Sequence, residues 1–250
     1  MRKLLAANWK MYKTIAETVS TLMDLKKFLP VLPEDREVAI FAPFTVLPAA
    51  ASVMQGRDRF TLGGQDVYPA REGAFTGEVS PLMLLDSGCG LVLTGHSERR
   101  HILGESAAFV GRKTAFALES GLDVVLCIGE TLDEREKGKL ESVLGTQLEE
   151  GTKDVAADVT ASRLSIAYEP VWAIGTGKVA GEADILQTHA LVRKILRDIF
   201  GAKAAEMRIL YGGSVKADNA GEILKLDNVD GVLVGGASLQ AETFSRIVLA

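Results

Sequence analysis

Short apolar, β-branched-rich runs recur along the chain: Leu4 to Trp9, Glu37 to Ala42, Phe60 to Gly64, Gly90 to Thr94, Asp123 to Ile128, Leu164 to Glu169, Arg208 to Tyr211 and Gly231 to Val234. From the first start to the last, the eight runs are about 32 residues apart, the length of one strand with its returning helix. The stretches between them have helical periodicity and recognisable ends. Thr14 with Glu17 forms a capping-box pair, after which Ile15, Val19, Leu22, Leu25 and Leu29 make one apolar stripe that Pro30 stops. Ser80-Pro81 reads as an N-cap followed by proline at the first helical position, and Thr131 with Glu134 repeats the capping-box spacing.

Continuous apolar strands alternating with helices imply a parallel sheet buried on both faces. Such a sheet can stay open and doubly wound, or close. Eight regular units with no linker or composition shift favour closure, and neither G-x-G-x-x-G nor the G-x-x-x-x-G-K-[ST] phosphate loop occurs. The expectation is an α/β, single-domain (β/α)8 barrel over residues 1–250, a length at which this fold is usual.

Composition excludes several classes. With 47% hydrophobic and 24% charged residues the chain can build a core, which removes disorder from consideration. A net charge of −5 offers no basic field for nucleic acid or an anionic membrane, so an anionic ligand has to be held by local groups. Only Leu4 to Ala7 separate Met1-Arg2-Lys3 from Asn8, too short for a signal-peptide core, and no run reaches 18 apolar residues. Cys89 and Cys127 both sit in apolar runs and read as buried reduced thiols, which fits a cytoplasmic protein.

In a parallel βα array ligands bind beyond the carboxyl ends of the strands, so the residues closing each run carry the chemistry. Those ends are Asn8-Trp9-Lys10, Gly64-Gln65, Gly95-His96-Ser97-Glu98, Gly129-Glu130, Tyr168-Glu169-Pro170, Tyr211-Gly212-Gly213-Ser214 and Gly235-Gly236-Ala237-Ser238. Glu169 closes an apolar strand, where partial desolvation raises a carboxylate pKa and makes a better base; alone, it could equally be a salt-bridging glutamate. His96 precedes a helix start for which Ser97 reads as the cap. Helix amides there keep an imidazole neutral and suit it to donate a hydrogen bond to a carbonyl or enediolate oxygen. His101 and His189, within helical patterns, read as structural. Three dispersed histidines with no i, i+4 pair argue against zinc, and neither metal nor cofactor is expected.

Lys10 follows the first strand and can direct its ammonium into the bowl, with Asn8 on the same side of that strand. The glycine pairs 212–213 and 235–236 let backbone N–H groups approach an anion, in the two loops that form the usual phosphate site of barrels. Pro170 to Lys178 (Pro170, Val171, Trp172, Ala173, Ile174, Gly175, Thr176, Gly177, Lys178) is apolar yet glycine-containing and reads as a lid, with Trp172 and Ile174 at its tip.

These segments, together with Gly73-Ala74-Phe75-Thr76-Gly77-Glu78 and Ala167 to Gly177, resemble the triosephosphate isomerase family along the full length. The family is itself a standard example of a glutamate base, a neutral histidine electrophile and a closing lid. The resemblance implies a cofactor-independent isomerase of the TIM-barrel fold that interconverts dihydroxyacetone phosphate and glyceraldehyde 3-phosphate, in glycolysis and gluconeogenesis. By position, Glu169 would shuttle the proton, His96 would polarise the carbonyl, and Lys10 would supply positive charge, supported by Asn8 and Glu98. Gly175, Ser214, Gly235 and Gly236 would hold the phosphate. The Tyr68 to Ser80 segment would make the homodimer, with Thr76 reaching the neighbouring active site. Two positions depart from the usual pattern: Val179 in the second hinge, and Leu103 near the dimer contact. A metal-dependent epimerase or a Schiff-base aldolase lacks its ligands or its strand-end lysine here, apart from Lys10. A silent phosphosugar-binding or scaffold barrel would have lost the base or the electrophile, and both are present.

Overall fold

The structure, a computed structural model, describes residues 1–156, 159–174 and 180–250. Eight strands, β1 (Lys3–Asn8), β2 (Arg36–Ala42), β3 (Phe60–Gly64), β4 (Leu91–Thr94), β5 (Asp123–Ile128), β6 (Leu164–Tyr168), β7 (Ile209–Tyr211) and β8 (Gly231–Val234), pair in parallel in sequence order. The sheet closes where β1 meets β8, with Leu4 opposite Gly231 and Ala7 opposite Val234. Each apolar run is therefore a strand, displaced by no more than one residue at either end.

Alternation along the strands divides the core into two layers. Leu4 and Ala6 of β1, Ala39 and Phe41 of β2, Val125 and Cys127 of β5, Ala167 of β6 and Leu233 of β8 pack with one another inside the barrel. The intervening Leu5, Ala7, Val38, Ile40, Val124, Leu126, Ile166, Tyr168, Val232 and Val234 pack outwards against the helices. This parity decides the site: the next inward position after Ala6 is Asn8, after Ala167 it is Glu169, and after Leu233 it is Gly235.

The helices are α1 (Ile15–Phe28), α2 (Leu47–Met54), α3 (Pro81–Asp86), α4 (Ser97–His101), α5 (Ala107–Glu119), α6 (Leu132–Glu136), α7 (Leu140–Thr152), α8 (Glu182–Phe200), α9 (Ala220–Ile223) and α10 (Ala241–Val248). Both capping boxes form, and Ser80 accepts from the Met83 N–H ahead of Pro81. The apolar stripe of α1 is shorter than the sequence suggests. Leu22, Leu25 and Leu29 are buried, but Ile15 at the first helical position is exposed and Val19 is half-buried; Thr18 takes the inward place.

The cap of α4 is His96, not Ser97: Gly95 turns the chain with φ +67°, and the His96 ring accepts from the Glu98 N–H. Cys89 and Cys127 are buried and unpaired; burial pushes the Cys89 thiol up to about 12. His189 is buried with Nδ1 2.8 Å from the Asn228 carbonyl, and burial pushes its pKa down to about 4, a structural imidazole as its helical position implied. Among the described residues no helix is long and apolar enough to cross a membrane.

Candidate active site

A cavity of about 390 Å³ opens at the carboxyl ends of the strands, a size suited to a small molecule. Asn8, Lys10, His96 and Glu169 line it together with Ser214 and the glycine pairs 212–213 and 235–236. Asn8, Lys10, His96, Glu169, Ser214, Gly235 and Gly236 thus converge on one volume from positions more than 200 apart in the chain, whereas Glu98, Gln65 and Glu130 do not line it.

Glu169 is 2% exposed, and every oxygen is engaged. His96 Nε2 lies 3.0 Å from Oε1, the Ser97 N–H donates to Oε2 at 3.0 Å, and the Ser97 hydroxyl reaches Oε1 at 3.4 Å. Glycines on both neighbouring strands make room for it. A Cβ on Gly129 would stand 1.8 Å from the Glu169 carbonyl oxygen, and one on Gly212 would stand 2.9 Å from its Cγ.

Burial raises the pKa of this carboxylate, but His96, the Ser97 amide and Lys10 outweigh it and hold the group below its ordinary value. This corrects the expectation of a raised pKa: desolvation is present, but a sequence cannot show that the imidazole and a helix amide both point at the same carboxylate. The partner moves the opposite way. Burial disfavours charge on His96, yet Glu169 against Nε2 and Glu98 near Nδ1 (3.6 Å) keep its pKa above the ordinary value, against the expectation that the helix start alone would lower it. The tautomer follows from geometry, since Nδ1 accepts from the Glu98 N–H at 3.3 Å and the ring proton resides on Nε2, the atom facing Glu169.

Lys10 has a left-handed backbone, φ +52°, held by the sequence around it. Its N–H donates to Asn8 Oδ1 at 2.9 Å, and the Gln65 amide donates to its carbonyl at 2.9 Å and to that of Phe41 at 3.0 Å. The ammonium meets Glu98 Oε1 at 2.5 Å. Its stem packs over the β8 turn, where a Cβ on Gly235 would lie 3.3 Å from Lys10 Cε. One cation therefore spans the Glu98–His96 side and the glycine side of the cavity.

The lid expectation divides. Gly175, Thr176, Gly177 and Lys178, and with them Val179, lie outside the described residues. Val171 to Ala173 form a short 3-10 turn with Ala173 buried. Trp172 is not at a tip: its indole N–H donates to Glu130 Oε1 at 2.8 Å, and the Arg135 guanidinium sits 5.2 Å from its ring centroid. The same oxygen accepts from Tyr168 OH at 3.1 Å and pairs with Arg135 at 3.0 Å. Trp172 fixes the base of the loop because a buried carboxylate just beyond β5 claims its N–H. Ser214 touches this base too, its hydroxyl donating to the Ala173 carbonyl at 3.0 Å.

Thr76 does not line the cavity of its own chain. Residues 71–78 are exposed, in a loop closed at its neck by the Tyr68 N–H to Val79 carbonyl bond of 2.8 Å, with Phe75 stacked 4.3 Å from Tyr68. The sequence reading assigns no individual role to Gln65, Arg100 or Glu130 and gives Ser97 only that of a cap, whereas its amide donates to Glu169. Arg100 donates to the Gly95 and Cys127 carbonyls at 2.8 and 3.0 Å and so buttresses the His96 turn. For Gln65 a signal existed, since it is the polar residue directly closing β3; for Arg100 none did. Among the described residues no group of three His, Cys, Asp or Glu is placed to hold a metal ion.

Fold and cavity together define a (β/α)8-barrel protein carrying a buried carboxylate–imidazole pair and glycine-rich turns in one cavity at the carboxyl mouth. The sequence model of the triosephosphate isomerase family matches residues 3–250, and the chain belongs to that family. Triosephosphate isomerase of Oleidesulfovibrio alaskensis is 63% identical over 250 residues, spanning all of both chains. That of Chloroflexus aurantiacus is 48% identical, covering 98% of this chain and 97% of the other. The crystal structure of triosephosphate isomerase from Bartonella henselae superposes with a TM-score of 0.88 at 38% identity, covering 99% of this chain and 98% of that one.

Proposed function

We propose that this protein interconverts dihydroxyacetone phosphate and D-glyceraldehyde 3-phosphate by proton transfer through an enediolate, in glycolysis and gluconeogenesis, without a cofactor. The observation that carries the reading is the buried contact of 3.0 Å between Glu169 Oε1 and Nε2 of His96, in a cavity that glycine backbone also lines. A triose phosphate has complementary parts, a carbonyl with an adjacent C–H at one end and a dianion at the other.

Without substrate the base is held down by its partner. A carbonyl oxygen placed between them takes the Nε2–H, and Glu169 loses its main ionic support while remaining buried. Its pKa then rises towards the range in which it removes a carbon-bound proton. Glu169 takes the proton from the carbon of the CH2OH group, the electron pair passes to the carbonyl oxygen, and His96 with Lys10 stabilises the charge that develops there. His96 gives its Nε2 proton to that oxygen and regains one from the adjacent hydroxyl, and return of the carbon-bound proton to the neighbouring carbon completes the isomerisation with no net loss. Asn8 and Glu98 support Lys10. Backbone N–H groups at Ser214, Gly235 and Gly236, with Gly175 outside the described residues, hold the phosphate. Closure of Pro170 to Lys178 excludes water and limits elimination of phosphate.

Two further parts of the reading concern setting. The chain forms a homodimer through the Tyr68 to Ser80 loop. Its support is the exposure of large apolar side chains on loops after β1, β3 and β4, including Met11 at 94%, Ile102 at 76%, Leu103 at 63% and Phe75 at 42%. A single species of monomer mass in sedimentation velocity at working concentration overturns it. Two buried unpaired thiols suit the cytoplasm.

The deciding experiment is isomerisation of glyceraldehyde 3-phosphate by the purified protein, compared with Glu169→Ala and His96→Gln. Each variant should lose on the order of 10²- to 10⁴-fold in kcat/KM. An inactive parent rejects the assignment and leaves a phosphosugar-binding barrel, and variants as active as the parent reject the roles given to Glu169 and His96.

A further inference from the structure

Lys13 occupies a position that its own chemistry disfavours. Its φ is +78°, in the left-handed region where a side chain clashes and glycine is preferred. It directly precedes Thr14, the N-cap of α1, so its positive charge sits at the positive end of a helix dipole. Burial also pushes its ammonium pKa down, against partial relief from Glu17. A residue kept in such a place is over-determined by what its side chain touches.

One of those contacts joins the exit of β1 directly to the exit of β8, and the others hold the ammonium against α1 and Trp9. The ammonium donates to the Leu239 carbonyl at 2.8 Å and to Thr21 Oγ1 at 2.8 Å, and lies 5.3 Å from the centroid of the Trp9 ring. Trp9 in turn donates its indole N–H to the Ser238 carbonyl at 3.2 Å. Within the β8 turn the Ser238 hydroxyl and N–H both donate to the Gly235 carbonyl, at 2.7 and 2.9 Å, and the Leu239 N–H donates to the Gly236 carbonyl at 3.1 Å. The carbonyls of Ser238 and Leu239 are thus fixed from β1, while the Gly235 and Gly236 ends of the same turn face the cavity, as does Leu239 itself.

We infer that Lys13 is a positioning residue for anion binding: it clamps the turn after β8 to the strand that carries Lys10, so that the Gly235 and Gly236 amides are preset for the phosphate of the substrate. The inference rests on the proposed triose-phosphate reading, and it assigns Lys13 no contact with the reacting atoms.

Lys13→Gly tests it most sharply, because glycine relieves the backbone and removes the clamp together, so stability and anion affinity should separate. The variant should unfold at the parent's temperature or above. Its KM for glyceraldehyde 3-phosphate and its Ki for inorganic phosphate should both rise by about 3- to 10-fold, the value of one or two lost hydrogen bonds, with kcat within about twofold. Lys13→Met, which keeps the strain and the stem, should show the same rise in both constants. Unchanged KM and Ki, or a fall in kcat at constant KM, overturns the inference. Calorimetric titration with inorganic phosphate keeps the two readings apart: a weaker affinity in Lys13→Gly supports the clamp even if the parent proves inactive on triose phosphates, and an unchanged one overturns it.

Discussion

Replacing Gly129 with alanine tests whether the candidate base is placed by backbone packing. An alanine Cβ there would stand 1.8 Å from the Glu169 carbonyl oxygen and 2.8 Å from its carbonyl carbon, where ordinary contact begins at 3.4 Å. The obstacle is backbone, so no rotamer change relieves it, and one of the two segments must move by about 1.6 Å. Neither is free to do so. Gln147 grips the Gly129 peptide from both sides, accepting from its N–H at 2.8 Å and donating to its carbonyl at 3.0 Å, and the Glu169 N–H bonds the Ile128 carbonyl at 2.7 Å. Overpacking of this kind costs about 1–3 kcal/mol, and misplacing a catalytic group by about 1 Å costs on the order of 10²-fold in rate. The assay is kcat/KM for isomerisation alongside urea unfolding, with Gly145→Ala as control. Gly145 lies in α7 with nothing within 4 Å of its would-be Cβ, so alanine there should gain about 0.5–1 kcal/mol and leave activity unchanged. A folded Gly129→Ala variant with kcat/KM within about threefold of the parent refutes the argument.

Further outcomes concern charge. His96→Gln removes the main group that holds the Glu169 pKa down while the burial that raises it remains, so the acid limb of residual kcat/KM should move to higher pH; an unmoved limb shows that the pair does not set it. In the parent, the lowered Glu169 pKa contributes stability that is present above the ordinary glutamate range and is lost as pH falls through the folded value. Unfolding in urea across the acid range should therefore show a steeper loss for the parent than for Glu169→Gln. Lys113, fully buried in α5, bonds Asp66 at 2.8 and 2.9 Å and also pairs with Glu105. Lys113→Met leaves two buried carboxylates with Arg99 as their remaining cation and should cost about 3–5 kcal/mol in urea unfolding; a loss below about 1 kcal/mol contradicts a stabilising role for the cluster.

Much of this protein was legible in its sequence because the determinants are local. A strand buried on both faces needs only a continuous apolar run, and a capping box needs only Thr14 and Glu17, so strands and helix starts could be read within a residue. Parity then carries Asn8, Glu169 and Gly235 inwards once the strands are placed. Closure itself was inferred from regular spacing and the number of units.

Tertiary structure decided what depends on two distant segments meeting. The Glu169 pKa falls because His96 and the Ser97 amide arrive from another strand exit, 72 positions away in the case of Ser97. Trp172 anchors a loop base because Glu130 has a buried oxygen to share, and Lys13 holds a left-handed turn because Leu239 offers a carbonyl across the barrel's seam. Sequence determines which groups a chain can offer and the period at which it offers them. Their charges and roles are fixed only when burial and the nearest partner are known, since both depend on separations of a few ångströms between residues far apart in the chain.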